Sequence, residues 1–368
     1  MIDTASLVDQ HCHGVLRTEL GLGTFETQLG RMEGPPAAGT TLFDTQTGFA
    51  VRRWCPPLLG LEPHCAPARY LARRRELGVL ESGRRLLRGS GITTYLVDTG
   101  LPGDLTGPDE MAAAGDAEAR EIVRLEPLAA QVADTSGSVA SFLANLAESV
   151  HGAAGHAVAF TTGAGFADGA ALSPEPPGPG EVRGAASRWL AGRRVGEAPA
   201  DPVLLRHLLW TAVASGRPLQ LHAGLGAPGV SGVSADPGPL TGFVRATAGL
   251  GTDLVLLHGY PHHRYAAHLA AAHPHVYADS GAALLRTGVR AATVLAEILE
   301  LAPFGKILFS SGARSLPELH VVAARLFRES LNRVLGTWVT DGAWSLTDAR
   351  RVARMVAAEN ALRVYGLD

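Results

Sequence analysis

Two histidines separated by one residue, His11 and His13, are the side chains of this sequence whose spacing best suits chemistry. They lie at the end of an apolar run, residues 6–11, whose pattern predicts a β-strand. Side chains two positions apart on a strand point to the same face, so both imidazoles would leave the strand end together. Two imidazoles on one face can bind a single metal ion. The pair therefore predicts one side of a metal site.

Two further histidines, His222 and His258, end other predicted strands. A lone histidine at a strand end more often makes hydrogen bonds than binds metal, but four on one predicted face favour a shared site, intact or vestigial. Neutral imidazole is a ligand for zinc, iron, manganese and nickel. We expect His11, His13 and His222 to bind a divalent ion, with zinc expected before manganese or iron. We expect His258 to orient a water molecule or the substrate.

The elements that would position these side chains are short runs of Val, Ile and Leu that alternate with helical patterns. The predicted strands are residues 6–11, 91–98, 122–126, 157–161, 218–222, 253–258, 275–279 and 306–311. The predicted helices between them are residues 70–88, 139–151, 202–215, 240–248, 263–273 and 289–299. This alternation favours parallel βαβ units. Polar residues at nearly every strand end are typical of a (β/α)8 TIM-type barrel, whose active site lies at those ends.

We expect a single α/β domain over residues 1–368, with two interruptions of the alternation and a helical C-terminal part. Residues 14–69 carry two Pro-Pro pairs and several aromatic residues, which predicts an inserted lobe or lid. Within this predicted lobe, the aromatic side chains either line the substrate pocket or form a small local core; they are Phe25, Phe49 and Trp54. Residues 164–201 contain Gly and Pro clusters around one short helix, which predicts a mobile loop over the barrel mouth.

Composition excludes some classes of function. The formal net charge is −3, from 32 basic and 35 acidic residues. The sequence has no block of basic residues that would indicate a surface for binding nucleic acid. Three cysteines suggest a reducing compartment. We find neither a secretory leader nor an apolar stretch that could span a bilayer. We therefore expect a cytoplasmic protein. We also expect a small-molecule substrate, and a homodimer because barrels of this kind often dimerise through outer helices.

The chain resembles the amidohydrolase superfamily, specifically the amidohydrolase-2 group of metal-dependent hydrolases, decarboxylases and domains fused to glutamine-synthetase-like enzymes. The resemblance covers almost the whole chain and is carried by segments 11–13 (His-Cys-His), 219–222, 256–259, 306–311, 316–320 and 360–365. It implies a divalent ion bound by the His-x-His pair, by His222 and by an aspartate after the eighth strand. In the family that aspartate also takes the proton from the metal-activated water.

This sequence departs from the family pattern at two places. Gly312 stands where the family has the eighth-strand aspartate, and Thr161 stands where relatives carry a fourth-strand lysine. Glycine can neither bind metal nor move a proton, so affinity should fall and a general-base contribution of about 10²–10⁴-fold should be lost. By position, Asp279 is the best substitute and we expect it to be catalytic. Cys12 points away from its neighbours and is interpreted as a packing residue.

Three functions remain open from the sequence. The first is hydrolysis of a C–N bond in an amide, for example a γ-glutamyl amide, by metal-activated water. The second is a diverged barrel, such as a lyase or decarboxylase, that uses the metal as a Lewis acid without the missing base. The third is a binding or regulatory pseudo-enzyme. Whether the chain is an active enzyme is therefore not decided by its sequence.

Overall fold

The fold of the described residues is a (β/α)8 barrel, as predicted. The computed structural model describes residues 2, 4, 6–30, 36–163, 173–224 and 236–367. Within them, eight parallel strands form one sheet in the order β1 to β8. The strands are β1 (Val8–Cys12), β2 (Thr94–Asp98), β3 (Glu118–Arg124), β4 (Ala159–Thr162), β5 (Leu219–His222), β6 (Leu254–Leu257), β7 (Val276–Asp279) and β8 (Ile307–Leu308).

Helices follow most strands and supply the outer layer of the barrel. They are α1 (Leu22–Gly30), α2 (Gln46–Leu58), α3 (Pro67–Ser90), α4 (Pro108–Gly115), α5 (Leu125–Asp134), α6 (Val139–Ala154), α7 (Pro179–Gly192), α8 (Pro202–Ala214), α9 (Thr241–Ala246), α10 (His263–Ala272), α11 (Gly281–Thr287), α12 (Ala291–Leu301), α13 (Pro317–Thr340), α14 (Leu346–Arg354) and α15 (Asn360–Tyr365). Side-chain caps begin several of them. At α8, for example, the Asp201 carboxylate accepts from the backbone N–H of Val203 at 2.9 Å.

Element bounds differ from the sequence prediction mainly at β3 and β8. Residues 122–126 were predicted as a strand, but β3 ends at Arg124 and α5 begins at Leu125. Glu126 therefore lies in the first turn of a helix, where Pro127 is tolerated because the first helical N–H groups have no partner within the helix. The predicted strand 306–311 is hydrogen-bonded as a strand only over Ile307–Leu308. Phe309 and the following serines are a buried extension of it.

The chain divides into two compact units. Unit 1 comprises Met1–Val97, Leu101–Arg120 and Asp279–Arg363, and unit 2 comprises Asp98–Gly100, Glu121–Ala278 and Val364–Asp368. In unit 1 the long helix α13 packs against α2, α3 and α12. In unit 2 strands β3 to β7 pair in parallel, and the apolar strand β6, between β5 and β7, is buried along its whole length.

The two interruptions carry more regular structure than the sequence suggested. Residues 14–69 contain α1 and α2, and Phe25 stacks on Phe43 with ring centroids 5.5 Å apart, so Phe25 belongs to a local core. Phe49 and Trp54 line a cavity of about 330 Å³ in unit 1. The 164–201 stretch contains the 14-residue helix α7, and its residues 164–172 lie outside the described residues. In the part of the chain that is described, no helix has the length and apolarity to cross a membrane.

Candidate metal centre

His11 and His13 lie side by side in unit 1, as the spacing predicted. Strand β1 is buried along its whole length, and the two imidazoles at its end are 0% and 5% exposed. Their ring centroids are 5.1 Å apart and their planes are nearly perpendicular, at 85°. Two imidazoles on one tetrahedral zinc ion, with Zn–N bonds of about 2.0–2.1 Å, have centroids about 5 Å apart. The pair therefore has the spacing of two ligands to one ion.

His222 and His258 form a second imidazole pair, in unit 2. His222 is the last residue of β5, and His258 follows β6 directly. Their ring centroids are also 5.1 Å apart, at an interplanar angle of 68°. His258 has a φ of 64°, a left-handed conformation that is uncommon for a residue with a side chain. Unfavourable backbone geometry of this kind is concentrated at functional sites. Here it occurs at His258, which the sequence analysis predicts to orient a water molecule or the substrate.

An ion pair at the ends of β2 and β3 accompanies the second imidazole pair. Arg124 donates through Nε to Asp98 Oδ2 at 3.0 Å and through Nη2 to the same oxygen. The backbone N–H of Gly100 donates to Asp98 Oδ1 at 2.9 Å. Arg124 Nη2 also lies 3.5 Å from His222 Nε2. Burial opposes the guanidinium charge, but Asp98 outweighs it and raises the pKa of Arg124 above its ordinary value.

Sequence reasoning did not single out Arg124. The signal was available, because Arg124 lies two positions before Glu126 at the end of a predicted strand. The Glu126 carboxylate is buried and accepts from the hydroxyl of Thr162 and from the backbone N–H of Gly163. It thereby ties the start of α5 to the end of β4.

Thr161 on β4 stands at the position where the sequence departs from the fourth-strand lysine of the family pattern. Its side chain is fully buried, and its hydroxyl donates to the carbonyl oxygen of Gln220 at 3.5 Å. The hydroxyl thus bonds to the backbone of the neighbouring strand β5.

Asp279, the predicted substitute for the missing aspartate, ends β7 and is 3% exposed. Its Oδ2 accepts from the Ser310 hydroxyl at 3.0 Å, and its Oδ1 accepts from the backbone N–H of Gly281 at 2.9 Å. A Cβ at position 281 would overlap this carboxylate. Glycine is therefore required there for the backbone to lie so close to the Asp279 side chain. The two donors fix the carboxylate against the end of β8.

The backbone after β8 fixes the end of β1 in place. Gly312 donates its N–H to the carbonyl oxygen of His11 at 3.0 Å, and His13 donates to the carbonyl oxygen of Ala313 at 2.8 Å. Gly312 has a φ of 54°, in the left-handed region. The position that carries an aspartate in the family pattern is therefore a glycine in a backbone conformation that glycine adopts readily.

Helix α13 starts just beyond this loop, and Glu318 lies in its first turn. The Glu318 carboxylate is fully buried. Oε1 lies 2.9 Å from Arg74 Nε and accepts from the Tyr70 hydroxyl at 2.7 Å. Glu318 thus serves to join α3 to α13.

Known proteins support this assignment of fold and family. The model of the family described as "Amidohydrolase" matches residues 99–367. Protein fluG of Emericella nidulans is 31% identical over 182 residues, which are 48% of this chain but only 21% of fluG.

Two solved structures share the fold. A candidate metal-dependent hydrolase of Lactobacillus casei ATCC 334 has a TM-score of 0.85 at 24% identity, covering 99% of this chain and 96% of the other. The uronate isomerase of Thermotoga maritima has a TM-score of 0.63 at 14% identity, covering 98% and 94% of the two chains. At these identities the structures establish the barrel and not the reaction. The family match over most of the chain shows that it belongs to the amidohydrolase family.

Proposed function

We propose that this protein is a metal-dependent hydrolase that cleaves the C–N bond of a small amide, with His11, His13 and His222 as ligands of one divalent ion. The observation that carries the proposal is the geometry of the two imidazole pairs, each with centroids 5.1 Å apart. Both pairs stand at carboxyl ends of parallel strands, where barrel enzymes of this topology have their active sites. Membership of the amidohydrolase family implies a divalent ion.

The donor set suits the ion. Three neutral imidazoles are a common catalytic zinc set that leaves a coordination position open, and manganese or iron are the next candidates. When bound, such an ion supplies Lewis acidity, which activates water as a nucleophile and polarises the substrate carbonyl. Arg124 and Asp98 add no net charge beside His222, since the guanidinium and the carboxylate compensate each other.

The remaining roles fall to His258 and Asp279. His258 packs against His222 and would steer water or stabilise the negative charge that develops on the carbonyl oxygen. Asp279 would take the proton from water, because it is a buried carboxylate held at the end of β7, next to the strand that lacks the family aspartate. Amides of the γ-glutamyl type are the first substrate class to assay.

One observation favours a second candidate function. Gly312 removes a metal ligand and general base from the family pattern, and its left-handed backbone shows that the loop is built around glycine. A reaction that needs only Lewis acidity, such as decarboxylation or another lyase reaction, would tolerate that loss. The two candidates separate by assay, because only hydrolysis releases an amine and incorporates oxygen from water.

The experiment compares metal content and amide hydrolysis in single variants of the full chain. We expect His11→Ala, His13→Ala and His222→Ala each to lower the tightly bound metal and to abolish hydrolysis. His151→Ala, an exposed substitution on α6, is the matched control and should behave like the parent. If the histidine variants retain full metal content and activity, the proposed site is wrong.

A further inference from the structure

A second group of metal-ligating side chains includes two residues of β1, the strand that carries the His-x-His pair. Asp9 and Cys12 belong to β1, and His320 belongs to the first turns of α13. All three lie in unit 1 and are 0% exposed. One ligand atom from each lies within 4.8 Å of the other two. The pairing of β1 with β2 shifts register between Asp9 and Cys12, which allows residues three apart to share a face.

His320 is the side chain that points to a ligand. Among the described residues, neither of its ring nitrogens has a hydrogen-bond partner. Its Nδ1 lies 3.5 Å from Asp9 Oδ2, and the ring packs edge-on against Tyr95 with centroids 5.6 Å apart. A buried imidazole without hydrogen bonds is costly and calls for an explanation. A cation between His320 Nδ1 and Asp9 Oδ2 would give one of the two ring nitrogens a partner.

The three donors match zinc in type and charge, and the distance between two of their ligand atoms also fits. Zinc binds thiolate at about 2.3 Å, imidazole nitrogen at about 2.0–2.1 Å and carboxylate oxygen at about 2.0–2.2 Å, which separates neighbouring ligand atoms by about 3.3–3.6 Å. The distance from His320 Nδ1 to Asp9 Oδ2 is 3.5 Å. A divalent ion with one carboxylate, one thiolate and one neutral imidazole has no net charge. The loaded site is therefore compatible with complete burial.

The surroundings hold these ligands as outer partners do in metal sites. Ser311 donates its N–H to Asp9 Oδ1 at 2.7 Å and its hydroxyl to Asp9 Oδ2 at 2.5 Å. The Cys12 thiol donates to the carbonyl oxygen of Leu96 at 3.5 Å. Metal binding would release the thiol proton, and the Leu96 oxygen is then placed beside the sulfur as a candidate fourth ligand.

We propose that Asp9, Cys12 and His320 form a structural zinc site that links β1 to α13. It shares no ligand with the proposed catalytic site, which uses His11, His13 and His222. The proposed site would give Cys12 a second role beside the packing role predicted from the sequence. Its ligands flank His11 in sequence, so the bound ion would fix the strand that presents the His-x-His pair.

The test is cobalt substitution of the full-length protein, because only a thiolate ligand gives Co²⁺ an intense near-ultraviolet charge-transfer absorption. The imidazole ligands proposed for catalysis cannot produce that band. We expect the Co²⁺ protein to show the band, Cys12→Ser to lose it, and Cys55→Ser to keep it. Cys55 is the matched control because it is also fully buried, and its Sγ lies 3.9 Å from the carbonyl oxygen of Glu318.

The outcomes separate this proposal from the proposed function. Two bound ions together with a thiolate band support both sites. If the band is retained in His222→Ala, it arises from Cys12 and not from the catalytic imidazoles. One bound ion without a band overturns the zinc site and leaves the catalytic proposal standing. If Cys12→Ser does not fold, zinc X-ray absorption of the parent decides instead, since a site with Cys12 must show a sulfur neighbour and its absence overturns the proposal.

Discussion

Gly312 donates its backbone N–H to the carbonyl oxygen of His11 at 3.0 Å, so the loop that lacks the family aspartate is hydrogen-bonded to the strand that carries the His-x-His pair. The departure from the family pattern and the His-x-His pair are therefore joined through the backbone. Restoring a carboxylate at position 312 would put it on a residue whose backbone is hydrogen-bonded to that of His11. This relationship makes Gly312 the most informative position for mutation.

Gly312→Asp should raise metal affinity at least tenfold, because it adds a charged ligand to an otherwise neutral donor set. The φ of 54° is tolerated by Asp and Asn better than by other residues with side chains, so we expect a stability cost of only about 1–2 kcal/mol. Competition with a chelator measures the affinity. Gly312→Asn has the same shape without the charge, and equal affinities in the two variants would contradict the prediction.

Asp279→Asn should lower amide hydrolysis by about 10²–10⁴-fold, the usual contribution of a general base, and should leave the metal content unchanged. Steady-state kinetics of the metal-loaded variant give the first quantity and elemental analysis the second. Ser310→Ala is the control, because it removes one hydrogen bond to this carboxylate while keeping the carboxylate itself. Undiminished hydrolysis in Asp279→Asn would assign the proton transfer to another group.

Arg74→Met should lower the free energy of unfolding by about 3–5 kcal/mol, because it leaves the buried carboxylate of Glu318 without its cation. The double variant Arg74→Met, Glu318→Leu should lose less than the single one, since it removes both charges. Urea unfolding measures these values. Arg75→Met, an exposed change on the same helix, is the control, and a cost as small as that of the control would contradict the pairing.

Glu110 gives a pH-dependent contribution to stability. Hydrogen bonds from the Arg17 side chain, then from the backbone of Gly107, lower its pKa to about 2 from an ordinary value of 4.5. A lowered acid stabilises the fold above its unfolded-state pKa, and that contribution is lost as pH falls from about 4.5 towards 2. The stability difference between the parent and Glu110→Gln should therefore shrink over this interval. It should be small, because Glu110 is 49% exposed.

The control for this pH dependence is Glu148→Gln, an exposed change on α6. Its difference from the parent should not follow the same titration. Chemical denaturation at several pH values between 2 and 6 provides the measurement. A Glu110→Gln difference that stays constant down to pH 2 would contradict the contribution of the ion pair with Arg17.

The barrel could be predicted from the sequence because alternating apolar runs and helical patterns determine it locally. Strand ends were less predictable, and β3 shows why. Residues 122–126 contain three apolar residues and so fit a short strand, but the proline that follows them at 127 is equally permitted in the first turn of a helix. The backbone adopts the second alternative from Leu125, where α5 begins.

Within the candidate site, the histidines could be predicted but their charged neighbours could not. A histidine at a strand end is visible in one segment, whereas the pairing of Arg124 with Asp98 joins residues 26 positions apart. His320 could not be interpreted from sequence for the same reason, since its partners Asp9 and Cys12 are at the other end of the chain. Interactions that depend on tertiary packing need the structure.

The central claim is that His11, His13 and His222 bind one divalent ion, and an anomalous difference map at the zinc absorption edge tests it most directly. Crystals of the protein prepared with zinc should show a peak about 2.0–2.1 Å from one ring nitrogen of each of the three histidines. A second peak at Asp9, Cys12 and His320 would belong to the proposed structural site. A map with no peak at His11, His13 and His222 would contradict the account.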